Sequence, residues 1–105
     1  LLYRVLMNLG RNAQAAAEGT AQITISAQRR DHGLEIRFRD RGPGIPEAAQ
    51  PQLFEHFAAS GRDGGTGLGL PTARDLLRAH GGELALSFSD VRGTEFRLWL
   101  PDPAN

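Results

Sequence analysis

Asn8 and Asn12 lie four positions apart in the run Asn8-Leu9-Gly10-Arg11-Asn12-Ala13, so on a helix they present two amide side chains to one spot. An amide oxygen is a hard, neutral ligand suited to completing the octahedron of Mg²⁺ beside phosphate oxygens and water. The same pair would equally serve as a solvated helix face. Asp40-Arg41-Gly42-Pro43-Gly44-Ile45 sets a carboxylate ahead of two glycines. There the carboxylate can accept a hydrogen bond from an exocyclic amine while Gly44 admits close backbone approach to a flat ring, although Asp and Gly are also common turn residues.

Gly64-Gly65-Thr66-Gly67-Leu68-Gly69-Leu70 runs straight into an apolar periodic segment. Backbone amides freed by glycine at a helix start form an anion cradle suited to a polyphosphate, with a flexible linker as the competing account. No Lys follows the glycines and no strand leads directly into them, so this is neither a Walker loop nor a dinucleotide fingerprint. In Gly93-Thr94-Glu95-Phe96 a Thr hydroxyl could hold the Asp40 carboxylate or a bridging water; ordinary hairpin chemistry also accounts for it.

Positioning these groups falls to a few regular elements. Leu2, Val5, Leu6, Leu9, Ala13 and Ala16 recur at helical spacing, and the spacing predicts an amphipathic helix over residues 1–17. Ile23, Ile25 and Ala27 alternate in the next segment, as do Leu34, Ile36 and Phe38. These read as two half-buried strands joined by a turn at Asp31-His32-Gly33. The stretch from Asp40 to Gly69 is loop-rich, with a short helix starting at Pro46 and an apolar knot of Leu53, Phe54 and Phe57. A helix from Leu70 to His80 ends at Gly81-Gly82, and strands over 83–89 and 94–100 pair across a turn at Asp90 to Gly93. This order predicts an α+β fold, a two-layer sandwich with helices on one face of an antiparallel or mixed sheet.

Composition bounds the rest. At 105 residues the chain is one domain, and 40% hydrophobic residues with 13 Gly suit a folded, turn-rich unit rather than a disordered tail. No Cys is present, which excludes a disulfide framework, a thiol nucleophile and thiolate metal sites and favours a cytosolic setting. All 12 basic residues are Arg, balanced by 12 acidic residues, so the strong electrostatic footprint of a nucleic-acid binder is missing. No apolar run approaches the ~20 residues of a membrane span. Leu1 in place of an initiating Met points to a segment of a longer protein.

Taken in order, and with Leu53-Phe54-Glu55-His56-Phe57 between the glycine clusters, these motifs resemble the ATP-binding catalytic domain of sensor histidine kinases over nearly all of residues 1–105. The correspondence is N box, first glycine box, F box, second glycine box and terminal Gly-Thr strand. The resemblance implies the Bergerat-type ATP-binding fold, a mixed, mostly antiparallel sheet, and ATP and Mg²⁺ as cofactors. It makes Asn12 the Mg²⁺ ligand supported by Asn8, and both of them the catalytic pair. Asp40 becomes the acceptor of the adenine amino group, with Gly42 and Gly44 shaping the pocket and Ile45 and Leu70 walling the base. It lines the phosphates with Gly65, Thr66, Gly67, Leu68 and Gly69, supports Asp40 with Thr94, and uses Phe54 and Phe57 to anchor a mobile lid over residues 58–66.

The sequence departs from that family where a basic residue often follows the N box, since Ala15 and Ala16 stand there, and where the F box ends Ala59-Ser60. With no Lys, phosphate charge falls to Mg²⁺, helix amides and arginines, and Arg11 and Arg62 are the candidates. ATP-hydrolysing relatives carry a Glu where Asn8 stands; an amide cannot usefully take a proton, so the γ-phosphoryl group is expected to be kept for another acceptor. None of His32, His56 and His80 suits that role.

The resemblance therefore implies a protein histidine kinase whose partners are its own dimerisation and phosphoacceptor helices and a response-regulator receiver domain. The fragment is expected to be unable to phosphorylate itself and to be a monomer or weak oligomer, the full-length protein a homodimer. Its setting would be cytoplasmic, with or without an inner-membrane anchor elsewhere. An anti-sigma-factor-type serine kinase and a nucleotide-binding module without transfer activity are the alternatives.

Overall fold

The computed structural model describes residues 1–16, 22–55 and 69–102. Helix α1 spans Leu2–Ala16, strand β1 Ile23–Arg30 and strand β2 Gly33–Asp40. A 3-10 helix over Glu47–Gln52 follows Pro46, then come helix α2 at Gly69–Ala79 and strands β3 (Glu83–Asp90) and β4 (Gly93–Pro101). The strands form one sheet in the order β1-β2-β4-β3. Every described ladder is antiparallel, so the mixed sheet allowed by the sequence resolves to its antiparallel form here.

Period-2 patterning decides which face of the sheet is buried. Ile36 pairs with Leu98, which pairs with Leu84, and Phe38 pairs with Phe96, which pairs with Leu86. These two rows meet Val5, Leu9 and Ala13 of α1 and Ala73 and Leu77 of α2 in one cluster of buried side chains. Each buried Leu or Phe of this kind contributes about 1.5–3 kcal/mol through loss of water contact. Helix α2 packs against α1, β3 and β4, which places the helical layer over one side of the sheet.

Strand β1 departs from expectation. Ile23, Ile25 and Ala27 pair with Asp40, Phe38 and Ile36 and so belong to the core face, as the alternation predicts. Yet the strand is exposed along its whole length, with Ile23 at 38% and Ile25 at 50%. It is not half-buried because the described helices pack over the other end of the sheet, where α2 meets β3 and β4, and do not reach this edge. Its turn to β2 puts Asp31 (φ 51°) and His32 (φ 62°) in the left-handed region, the pairing a tight hairpin of this twist demands.

Two local features carry expected outcomes. A Cβ built on Gly10, inside α1, would meet nothing within 4 Å. Gly10→Ala is therefore expected to raise stability by about 0.5–1 kcal/mol through helix propensity alone, read as a higher thermal midpoint. A lower midpoint would show that this side of the helix is contacted.

Glu83, at the start of β3, receives hydrogen bonds from Arg78 and Arg74 and from the Leu84 N–H. The Arg78 bond, outweighing burial and helped by the Leu84 N–H and Arg74, holds its carboxyl down at about 2. Because the folded value lies below the ordinary 4.5, the cluster's stabilisation is full above pH 4.5 and is lost as pH falls toward 2. With 44% of the side chain exposed, solvent screening limits the effect to about 1 kcal/mol or less. Glu83→Gln should flatten the stability–pH curve across that window; a curve as steep as wild type would assign the acid sensitivity elsewhere.

Candidate functional site

The site gathers at one end of the sheet, where β2 and β4 finish their ladder at the pair Asp40 and Thr94. Asp40 is 7% exposed, and its Oδ1 accepts the Gly42 N–H at 2.8 Å. A buried carboxylate needs such a donor to offset lost hydration, and an Asp two residues before a glycine makes the bond locally. Gly44 follows at φ +83°, and a Cβ on it would overlap the Asp90 carbonyl oxygen. The glycine thus lets the Gly42–Ile45 loop lie directly against the β3–β4 hairpin.

That loop is tied to the hairpin by side chains as well. The Ile45 N–H donates to Ser89 Oγ at 2.7 Å, and Ser89 Oγ lies 2.8 Å from Thr94 Oγ1. Gln50, on the 3-10 helix, donates from Nε2 to the Ile45 carbonyl at 3.0 Å. The sequence assigns the Thr94 hydroxyl to the Asp40 carboxylate or a bridging water. Thr94 stands opposite Asp40 in the ladder, but the hydroxyl's partner is Ser89, so its support reaches the loop through Ser89 and Ile45.

Asn12 lies where α1 meets the start of α2. A Cβ on Gly69 would come within 2.9 Å of the Asn12 Nδ2, and that nitrogen is buried without a hydrogen-bond partner. The first residues of α2 carry backbone N–H groups that no turn of the helix satisfies. An orphaned amide N–H beside a helix start is an arrangement that a ligand's acceptors would complete. Asn8, one turn earlier on α1, is half-buried, while Arg11 is exposed. Among the described residues no group of three or more His, Asp or Glu could by itself hold a metal ion. A cation on Asn12 would therefore take most of its ligands from outside the protein, and a single hard amide oxygen fits that use.

Ile45 and Leu70 are half-buried, packed against the core. Phe54 packs edge-to-face on Phe96 with centroids 6.3 Å apart, and the Arg74 guanidinium lies 4.5 Å above the Phe54 ring. Gly65, Thr66, Gly67, Leu68 and Arg62 lie outside the described residues, as do Phe57 and the lid expected over residues 58–66. Sequence reasoning missed Ser89, Gln50 and Arg74. The signal for Ser89 is hidden by a bulge between Leu86 and Phe88, which shifts the register so that Ser89 pairs with Thr94.

A two-layer sandwich whose sheet end holds a buried carboxylate beside a glycine loop, with an amide-bearing helix across a second helix start, defines a class of nucleotide-binding domain. Comparison with known proteins agrees: residues 1–104 match the family model described as histidine kinase-, DNA gyrase B- and HSP90-like ATPase, and the chain belongs to that family. It is 40% identical over 105 residues to the signal transduction histidine-protein kinase AfsQ2 of Streptomyces coelicolor, covering 95% of this chain and 19% of that protein. With the sensory histidine kinase/phosphatase NtrB of Salmonella typhimurium the identity is 42% over 110 residues, covering 93% of this chain and 31% of that protein.

Among solved structures, full-length ShkA in complex with AMPPNP superposes with a TM-score of 0.81 at 28% identity, over 99% of this chain and 22% of that one. The mycobacterial sensor histidine kinase MprB gives 0.77 at 30% identity, over 98% of this chain and 74% of that one. The chain thus spans less than a third of the length of the curated relatives cited here.

Proposed function

We propose that this chain is the ATP-binding catalytic domain of a two-component sensor histidine kinase. In this reading it delivers the γ-phosphoryl group of ATP to a His on separate dimerisation helices, for relay to an Asp of a response regulator. The observation that carries the reading is the buried Asp40 carboxylate, anchored through Oδ1 by Gly42 at the mouth of the loop. Held so, it offers a charged acceptor to the adenine amino group, while Ile45 and Leu70 supply apolar surface to the ring.

In this reading Asn12, with Asn8 one turn before it on α1, would serve the triphosphate, and the α2 N-terminus would add amide donors. The Asn12 amide oxygen would hold Mg²⁺, which when bound would supply charge neutralisation for the phosphates. In this reading Gly65, Thr66, Gly67, Leu68 and Gly69 would line the phosphates, with Arg11 and Arg62 as the candidate cations. Asn8 occupies the place where a water-activating carboxylate would serve hydrolysis, and an amide leaves ATP for transfer instead. The domain's own contribution is to hold ATP oriented for in-line attack, the imidazole nitrogen forming the new P–N bond as the bond to ADP breaks.

Mixing the chain with separately produced dimerisation helices of its own protein, ATP and Mg²⁺ should yield acid-labile phosphohistidine. No phosphohistidine would overturn the reading, and an acid-stable phosphoserine on a protein partner would replace it with a serine kinase of the anti-sigma-factor type.

A further inference from the structure

We infer that Ser89 and Gln50 are positioning residues for the purine side of the pocket, holding both backbone polar groups of Ile45 and thereby setting where the Gly42–Ile45 wall stands relative to Asp40. The inference rests on the nucleotide reading above. Its starting point is the bulge in β3. Leu84 and Leu86 pair with Leu98 and Phe96 on the helix-covered face, and strict alternation would send Phe88 to that face and Ser89 to the other. Between Leu86 and Phe88 the register shifts by one residue, so Phe88 pairs with Glu95 and Ser89 pairs with Thr94. Phe88 then meets Arg39 and Arg92, each with its guanidinium within 5.2 Å of the ring centroid. Ser89 arrives instead on the face that carries Thr94, Phe96 and, across the ladder, Asp40.

On that face the Ser89 hydroxyl accepts the Ile45 N–H at 2.7 Å and lies 2.8 Å from Thr94 Oγ1. A serine hydroxyl has one proton and two lone pairs, so it can serve both neighbours at once. Gln50 takes the other backbone polar group of Ile45, donating to its carbonyl at 3.0 Å and approaching the Ser89 carbonyl at 3.5 Å. With Gly44 pressed on the Asp90 backbone, the loop is fixed to β3 and β4 rather than to its own strand alone. Neither side chain is assigned to the nucleotide; each acts through Ile45.

The test compares wild type with Ser89→Ala, Ser89→Thr and Gln50→Glu in the 105-residue chain, each first shown folded by circular dichroism. Affinities for ADP and for AMPPNP with Mg²⁺ are measured by calorimetry, and Ile45 amide exchange by NMR. Loss of one partly buried hydrogen bond should weaken both nucleotides by the same factor, about five- to tenfold, with stoichiometry unchanged. The equal factor separates the effect from the γ-phosphate, which ADP lacks, and a general folding defect would lower stoichiometry instead. Ile45 exchange should quicken in Ser89→Ala, threonine should restore both readouts, and Gln50→Glu, which loses the donor, should weaken both nucleotides alike. Wild-type affinity or wild-type Ile45 exchange in Ser89→Ala overturns the inference alone. A wild-type chain that binds neither nucleotide overturns the nucleotide reading itself, and the inference with it.

Discussion

Asp40→Asn is expected to weaken adenine-nucleotide binding by about 1–3 kcal/mol, or roughly 5- to 150-fold, while leaving the fold in place. The carboxylate has two tasks. Its Oδ1 already serves the Gly42 N–H at 2.8 Å, and at 7% exposure it has little water to fall back on. An asparagine keeps the shape and can keep the Gly42 bond with its one oxygen. What remains to meet the base is then an NH₂ group, a donor facing a donor, with no negative charge behind it. Calorimetry with AMPPNP reads this directly. Affinity equal to wild type would reduce Asp40 to the residue that starts a turn.

The largest loss of stability should come from Gly93→Ala, about 3–5 kcal/mol, from a left-handed-region φ and an overlap that cannot relax. Gly93 opens β4 with φ +132°, where an L side chain is strained. A Cβ there would also overlap the Asp40 carbonyl oxygen and approach Arg41 Cα to 3.0 Å. These neighbours are backbone, so neither can swing aside as a side-chain tip would. Since a domain of this size is held by about 5–15 kcal/mol in total, urea unfolding should show a midpoint shift visible without fitting. Relief of the overlap would move the end of β2, so nucleotide affinity should fall as well. A loss under about 1 kcal/mol would mean that the hairpin end yields freely.

Much of this architecture is legible in the residue pattern, for physical reasons that also mark where legibility stops. Leu2, Leu6, Leu9 and Ala13 spell α1 because a helix buries one stripe, and Leu34, Ile36 and Phe38 spell β2 because a strand buries alternate residues. Ile23 and Ile25 follow the same rule and point the right way, yet the strand that bears them is exposed. Local spacing reports which side of a strand is apolar, whereas burial depends on how far the helices reach across the sheet.

The candidate site divides along the same line. Asp40 with Gly42 and Gly44 is a contiguous motif, and its turn chemistry is local. Asn12 against Gly69 joins positions far apart in the chain, so only the motif order suggested it. Ser89 had no such cue, because Leu84, Leu86 and Phe88 keep an apolar alternation through the bulge that the backbone does not follow. Gln50 sat in a short element whose direction toward Ile45 no spacing foretells.

The extra residue in β3 gives the corner beside Asp40 an unusual kind of inheritance. Point substitutions can retune the hydroxyl row or the arginine-flanked aromatic one at a time, but neither can be moved to the opposite side without the other changing places. Only a change in chain length upstream would do that, and it would exchange both rows in a single step. Drift at this corner is thus confined to residue identity, while its geometry is inherited whole.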